Sequence, residues 1–155
     1  MKNRISKLVS FVLCLTLLLG LCLPARAALT KEGKDTLTFW LHGFDMIFDE
    51  FEDTTEGKID MYRDDDSFDD FPDGTIYIDL ELHALIIRCG EQYRTYIIDN
   101  EWLSNFFAST VCGVVLDEGL MDEGVRVFMS FNEESSGYLT EEMVRMFVET
   151  VEAQE

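Results

Sequence analysis

Basic residues are scarce in this 155-residue chain, which has 12 Lys and Arg against 31 Asp and Glu and a formal net charge of −19. Proteins that bind nucleic acids present clustered Lys and Arg, and segments that bind anionic membrane surfaces do the same. The charge therefore argues against nucleic acid as a partner and disfavours an anionic lipid surface. It permits a basic protein partner, cations, or no partner at all.

The only long apolar run lies at the N-terminus. Three basic residues precede the uncharged stretch Leu8–Leu23, and a small-x-small cleavage site ends at Ala27. This layout is typical of a secretory signal peptide. The 16 residues of the stretch are fewer than the roughly 20 that span a bilayer as a helix. We therefore expect residues 1–27 to be cleaved, leaving no stable membrane anchor. Residues 28–155 then form a single acidic domain, secreted or held in a bacterial periplasm or cell envelope.

Cleavage would remove four basic residues and no acidic one, so the remaining domain has eight Lys and Arg and a net charge of −23. It also retains only two of the four cysteines, Cys89 and Cys112. In an oxidising compartment these two could form one disulfide, worth about 3 kcal/mol. Two buried free thiols are the alternative. His42 and His83 show no paired ligand spacing with each other or with the cysteines, so no zinc site is predicted.

Apolar periodicity predicts an amphipathic first helix, which is capped by Asp35 or Thr36 and ends near residues 54–57. Its apolar face is unusually aromatic and consists of Leu37, Trp40, Leu41, Phe44, Ile47, Phe48 and Phe51. Packing on a sheet is one role for this face. The other is docking to a partner protein or a second copy of the chain through Trp40, Phe44, Phe48 and Phe51.

The remaining elements alternate between strand and helix patterns. Apolar residues alternate along Thr75–Ala84, with a bend or new strand near His83, and a turn at Gly90 leads into another strand. A helix capped by Asp99 or Asn100, a strand and a helix capped by Thr140 follow. The order α-β-β(-β)-α-β-α predicts an α+β fold, with helices packed on a mainly antiparallel sheet of three to five strands.

An Asp-rich loop covers residues 60–73. Its carboxylates, in particular Asp64, Asp66, Asp69 and Asp73, are the oxygen ligands that calcium prefers. The EF-hand register fails, however, because it places apolar residues at two ligand positions. A solvated acidic loop is the favoured interpretation. No cofactor is therefore predicted, and calcium is the alternative.

Two further sequence patterns bear on possible sites. Residues 132–143 resemble a calcium loop, but Met143 stands where a bidentate Glu is needed, so a strand-to-helix connection is favoured. No G-x-S-x-G nucleophile elbow or phosphate-binding glycine loop occurs. No catalytic residue is therefore predicted, and an uncharacterised hydrolase with a carboxylate site is the lowest-ranked alternative.

Two segments carry a family resemblance. Phe128–Phe131 followed by Gly137–Glu142 is similar to the strand, loop and helix that end YbjN-type domains, and Asn100–Trp102 is similar to the start of their middle helix. Those domains share the type III secretion chaperone-like fold, which implies a non-enzymatic, protein-binding domain. No functional residue is carried over. The sequence thus predicts a secreted or cell-envelope protein-interaction domain, with an extracellular calcium-binding module as the main alternative.

Overall fold

The computed structural model describes residues 28–55 and 71–154 of the chain. These residues form three helices and a five-stranded sheet, an α+β fold as predicted. In chain order the elements are α1 (Lys31–Thr55), β1 (Thr75–Asp79), β2 (Ala84–Cys89), β3 (Gln92–Ile97), α2 (Glu101–Asp117), β4 (Arg126–Asn132), β5 (Ser135–Tyr138) and α3 (Glu141–Glu152). No helix within these ranges is long and apolar enough to cross a membrane.

The strands lie in the order β3-β2-β1-β4-β5. β1 and β4 run parallel, while the pairs β1·β2, β2·β3 and β4·β5 are antiparallel. The sheet is therefore mixed and mainly antiparallel, because the chain crosses over through β2, β3 and α2 before it returns beside β1.

Side-chain caps start the helices. The Thr30 Oγ1 accepts a hydrogen bond from the Gly33 N–H (3.0 Å), so α1 begins about one turn before the predicted caps Asp35 and Thr36. Of the two predicted caps of α2, Asn100 is the one observed, and Thr140 caps α3 as predicted. These short-range bonds satisfy N–H groups that have no partner inside a helix.

One face of the sheet forms a single core with the helices. Ile76 and Ile78 of β1 pair with residues of β2 and β4 that point to the same side. All three helices add buried apolar side chains to this cluster. The largest fully buried side chains are Phe44, Phe48, Phe107, Phe147, Leu37, Leu41, Ile76, Ile78, Ile87, Ile98 and Leu120.

The opposite face carries an aromatic cluster. The Tyr77 and Phe128 rings stack with centroids 5.6 Å apart, and Tyr138 meets Phe128 edge-on at 5.1 Å. Phe71 contacts both Tyr77 (5.5 Å) and Phe128 (5.1 Å). The chain thus enters β1 with Phe71 held against the sheet.

Two details of the strands correct the sequence prediction. β1 ends at Asp79 and does not continue to Ala84. The Asp79 Oδ1 accepts hydrogen bonds from the N–H groups of Glu81 (3.0 Å) and Leu82 (2.9 Å), which turns the chain. His83 follows with a φ of 57°, a left-handed conformation uncommon for residues other than glycine. In addition, the predicted connection after β4 contains the strand β5.

Candidate partner-binding surface

The predicted docking aromatics lie mostly on the inner side of α1. Phe44 and Phe48 are 0% and 1% exposed. The Phe48 ring lies 5.1 Å from that of Tyr96 and 6.1 Å from that of Phe107. These two aromatics therefore belong to the core and are not on the surface. The Phe51 side chain lies outside the described part of the chain.

Trp40 lies between the core and the surface. It is partly buried, and its ring stacks on Phe44 with centroids 6.1 Å apart. It also lies edge-on to the Phe39 ring, with centroids 5.8 Å apart. Phe44 and Phe48 are buried and the Phe51 side chain is not described, so Trp40 is the predicted docking aromatic that is seen to be partly exposed.

The exposed apolar residues of α1 are ones that the sequence analysis did not select. Phe39 is 70% exposed and Met46 is 71% exposed. They are seven positions apart, which corresponds to two turns and a rise of about 10 Å along the helix. His42, also exposed, lies between them. We call Phe39, His42 and Met46 the outer stripe. The sequence contains a signal for this stripe, because two large apolar residues at a spacing of seven fall between the core positions of the helix.

Gly43 lies beside the outer stripe and next to Trp40, and we call this position without a side chain the notch. A Cβ at this position would lie 3.4 Å from the Trp40 Cε3 and 3.8 Å from its Cζ3. The indole ring therefore lies along the helix next to a residue without a side chain.

Acidic side chains flank the outer stripe at both ends. Glu32 and Asp35 are exposed one to two turns before Phe39, and Asp49 and Glu50 are exposed one turn after Met46. The Lys34 amine points elsewhere, because its Nζ lies 3.1 Å from the place that a Cβ at Gly90 would occupy. The stripe thus has two exposed apolar side chains with His42 between them, and carboxylates lie beyond both ends.

A hydrogen-bonded group fixes α1 to the sheet. The Tyr96 hydroxyl donates to the Asp45 Oδ1 at 2.5 Å, and the Arg94 Nε donates to the Asp45 Oδ2 at 3.2 Å. Burial and the bond to Asp45 raise the pKa of Tyr96 above its ordinary value. This group orients α1 so that Phe44 faces inward and Phe39 faces outward.

The proposed calcium ligands are only partly described. Asp64, Asp66 and Asp69 lie outside the described residues. The Asp73 Oδ1 accepts a hydrogen bond from the Gly90 N–H at 2.6 Å, which links two turns. Within residues 28–55 and 71–154, no group of three or more His, Cys, Asp or Glu could hold a metal ion.

The two cysteines of the domain are buried free thiols. The Cys89 Sγ lies 3.3 Å from the Thr38 Oγ1. Burial raises the pKa of the Cys112 thiol to about 12. Such a thiol is protonated at neutral pH and unreactive. Both cysteines lie in the hydrophobic core cluster.

Residues 132–143 form a turn, a strand and a helix start. The Asn132 Oδ1 accepts a hydrogen bond from the Glu134 N–H (2.8 Å), and β5 then pairs with β4. Thr140 caps α3 through a bond from the Met143 N–H at 3.3 Å. The side-chain oxygens of Asn132 and Thr140 therefore accept hydrogen bonds from backbone N–H groups of this segment.

No protein family, no curated protein and no solved structure matches this chain. The likeness to YbjN-type domains stays a prediction from the sequence.

Proposed function

We propose that this chain is a non-catalytic protein-binding domain that acts outside the cytoplasm after removal of residues 1–27. The observation that carries the proposal is the outer stripe, where Phe39 and Met46 are 70% and 71% exposed on one side of α1. Burying a side chain of this size is worth about 1.5–3 kcal/mol. A complex in which a partner covers both residues gains this free energy, because both side chains stay exposed when the chain is alone.

Two further features support a protein as the ligand. Trp40 lies beside the stripe, and Trp, Phe and Met are enriched at the centres of protein interfaces. The acidic residues around the stripe would form the polar rim that such interfaces have. The resemblance to YbjN-type domains implies the same kind of function.

Site-specific photo-crosslinking tests the proposal in cells that export the chain. A photoreactive residue is placed at position 39 in one variant and at position 82 in another. Leu82 is a matched control because it is apolar and 56% exposed but lies in the turn between β1 and β2 and not on α1. We expect one specific protein to be crosslinked from position 39 and not from position 82. Equal crosslinking patterns, or none, would count against a protein-binding role for this surface.

A further inference from the structure

We infer that the occupant of the outer stripe is a cationic amphipathic helix of another protein. This inference rests on the proposed protein-binding function and names the chemistry of the partner. Three features of α1 carry it: the spacing of the apolar residues, the open notch and the sign of the flanking charges.

The apolar residues match the surface of a second helix. Phe39 and Met46 project from the same side of α1 two turns apart, and a partner helix presents side chains at the same repeat. Gly43 leaves room for one of these side chains to reach Trp40, whose Cε3 is only 3.4 Å from the place of a Cβ at Gly43. An extended peptide binds chiefly through main-chain bonds at a sheet edge, which a helix surface does not offer.

The flanking charges determine which sign of charge a complementary partner carries. Glu32 and Asp35 precede the stripe, and Asp49 and Glu50 follow it, all of them exposed. Of the two basic residues in the α1 sequence, Lys34 lies against the β2–β3 turn. Lys31 is exposed and offsets one of the two carboxylates before the stripe, so both ends keep a net negative charge. A partner helix with Lys or Arg on both sides of its apolar face is therefore complementary.

The same charges disfavour a second copy of the chain. In either orientation of two α1 helices, the acidic ends of one stripe would meet acidic residues of the other. The remaining domain also has a net charge of −23 once four of the 12 basic residues are removed with residues 1–27. Repulsion between copies opposes such a dimer.

A designed peptide tests this chemistry directly. The probe is a labelled helix of about 18 residues, long enough to form in water, with Leu on one face and Lys on the others. One control has the same composition in scrambled order, and another replaces Lys with Glu. Binding to the processed chain is measured by fluorescence anisotropy at low and high salt. We expect only the cationic amphipathic helix to bind, and more weakly at high salt because the charges are screened.

Variants of the stripe then locate the site. Phe39→Ser with Met46→Ser should weaken peptide binding about tenfold, which corresponds to 1.4 kcal/mol. Leu82→Ser should leave it unchanged. The pair Asp35→Lys with Asp49→Lys should lower the affinity for the Lys peptide and raise it for the Glu peptide. Circular dichroism melting shows that each variant folds, which is expected because all these side chains are on the surface.

Four outcomes would overturn the inference. The first is binding of the scrambled peptide as tightly as the helix, and the second is equal binding by the stripe variant and wild type. The third is sedimentation of the processed chain as a dimer. The fourth is binding of the chain to neutral phosphatidylcholine vesicles that is lost in the variant Phe39→Ser with Met46→Ser. A crosslinked protein from position 39 without peptide binding would refute the cationic helix and leave the protein-binding function standing. Peptide binding without a crosslinked protein would count only against the function in cells.

Discussion

Two glycines inside α1 should respond in opposite ways to alanine. At Gly43 the added Cβ would meet Trp40 at 3.4 Å and 3.8 Å, which are ordinary contact distances. Alanine is favoured over glycine by about 1 kcal/mol in a helix interior because it restricts the unfolded chain. We therefore expect Gly43→Ala to raise the free energy of unfolding by up to about 1 kcal/mol.

The corresponding change in melting temperature follows from the size of the domain. Residues 28–155 number 128, and unfolding releases about 2.1 cal/mol/K of entropy per residue. The unfolding entropy is then about 270 cal/mol/K, so 1 kcal/mol corresponds to a rise in Tm of about 4 °C. Scanning calorimetry resolves a difference of this size.

At Gly33 the same change should destabilise the domain. A Cβ there would lie 2.8 Å from both the Cβ and the carbonyl oxygen of Glu123. That carbonyl is held in place because it accepts a hydrogen bond from the Thr30 N–H at 2.9 Å. Relieving the clash must move the start of α1, and overpacking of this kind costs about 1–3 kcal/mol.

Chemical denaturation of both variants checks the reasoning. The midpoint should rise for Gly43→Ala and fall for Gly33→Ala, with the slope of the transition unchanged. A Gly43→Ala variant that melts below wild type, or a Gly33→Ala variant that melts at or above it, would refute the packing described for α1.

Three further predictions concern the core. Asp45→Ala should cost about 1–3 kcal/mol because it leaves the Tyr96 hydroxyl without its acceptor. Arg94→Gln should cost less than about 1 kcal/mol, since the Arg94–Asp45 pair is 33% and 36% exposed. Urea unfolding separates the two, and equal losses would contradict this ranking. Burial raises the pKa of Cys112 from 9.0 to about 12, so its contribution to stability is complete below pH 9 and falls as the pH rises towards 12. The decline has a slope of at most about 1.4 kcal/mol per pH unit. Cys112→Ala should flatten this decline in a stability–pH profile, and an unchanged profile would contradict the assignment. Finally, the chain is unfolded in denaturant without reductant, alkylated and examined by mass spectrometry. Both Cys89 and Cys112 should carry the label, and a product with neither labelled would show the disulfide instead.

Local signals predicted the helices well. Asn100 and Thr140 cap α2 and α3 through bonds to residues three positions later, so their role is visible in a short window of sequence. The same holds for the turn after Cys89, where Gly90 has a φ of 66°. Thr30 was overlooked as the cap of α1, because the apolar repeat of that helix becomes visible only from Leu37 onward.

Long-range pairing explains what the sequence analysis missed in the sheet. β5 has the sequence Ser-Ser-Gly-Tyr, which has little intrinsic preference for a strand. It is a strand because Tyr138 and Gly137 pair with Phe128 and Met129 of β4. The end of β1 was missed for the opposite reason, since the apolar alternation continues past Asp79 although the backbone turns there.

The candidate site was misplaced for a related reason. Periodicity shows which residues of a helix share a face, and the more apolar face is the one that a fold buries. Phe44 and Phe48 were selected from that face and lie in the core. Phe39 and Met46 stand out only against the polar side of the helix, where both side chains stay mostly exposed.

Gly43 connects the stability of α1 with its proposed function. If alanine fits at this position, glycine lowers the stability of the helix by about 1 kcal/mol, although the packing of the fold does not require it. The notch beside Trp40 offers a reason, because a Cβ 3.4 Å from the indole ring would occupy the space that a partner side chain needs. The variant Gly43→Ala should therefore be more stable than wild type and bind the cationic helix more weakly, a trade-off known for binding sites. A variant that is more stable and binds equally well would show that the partner does not use the notch.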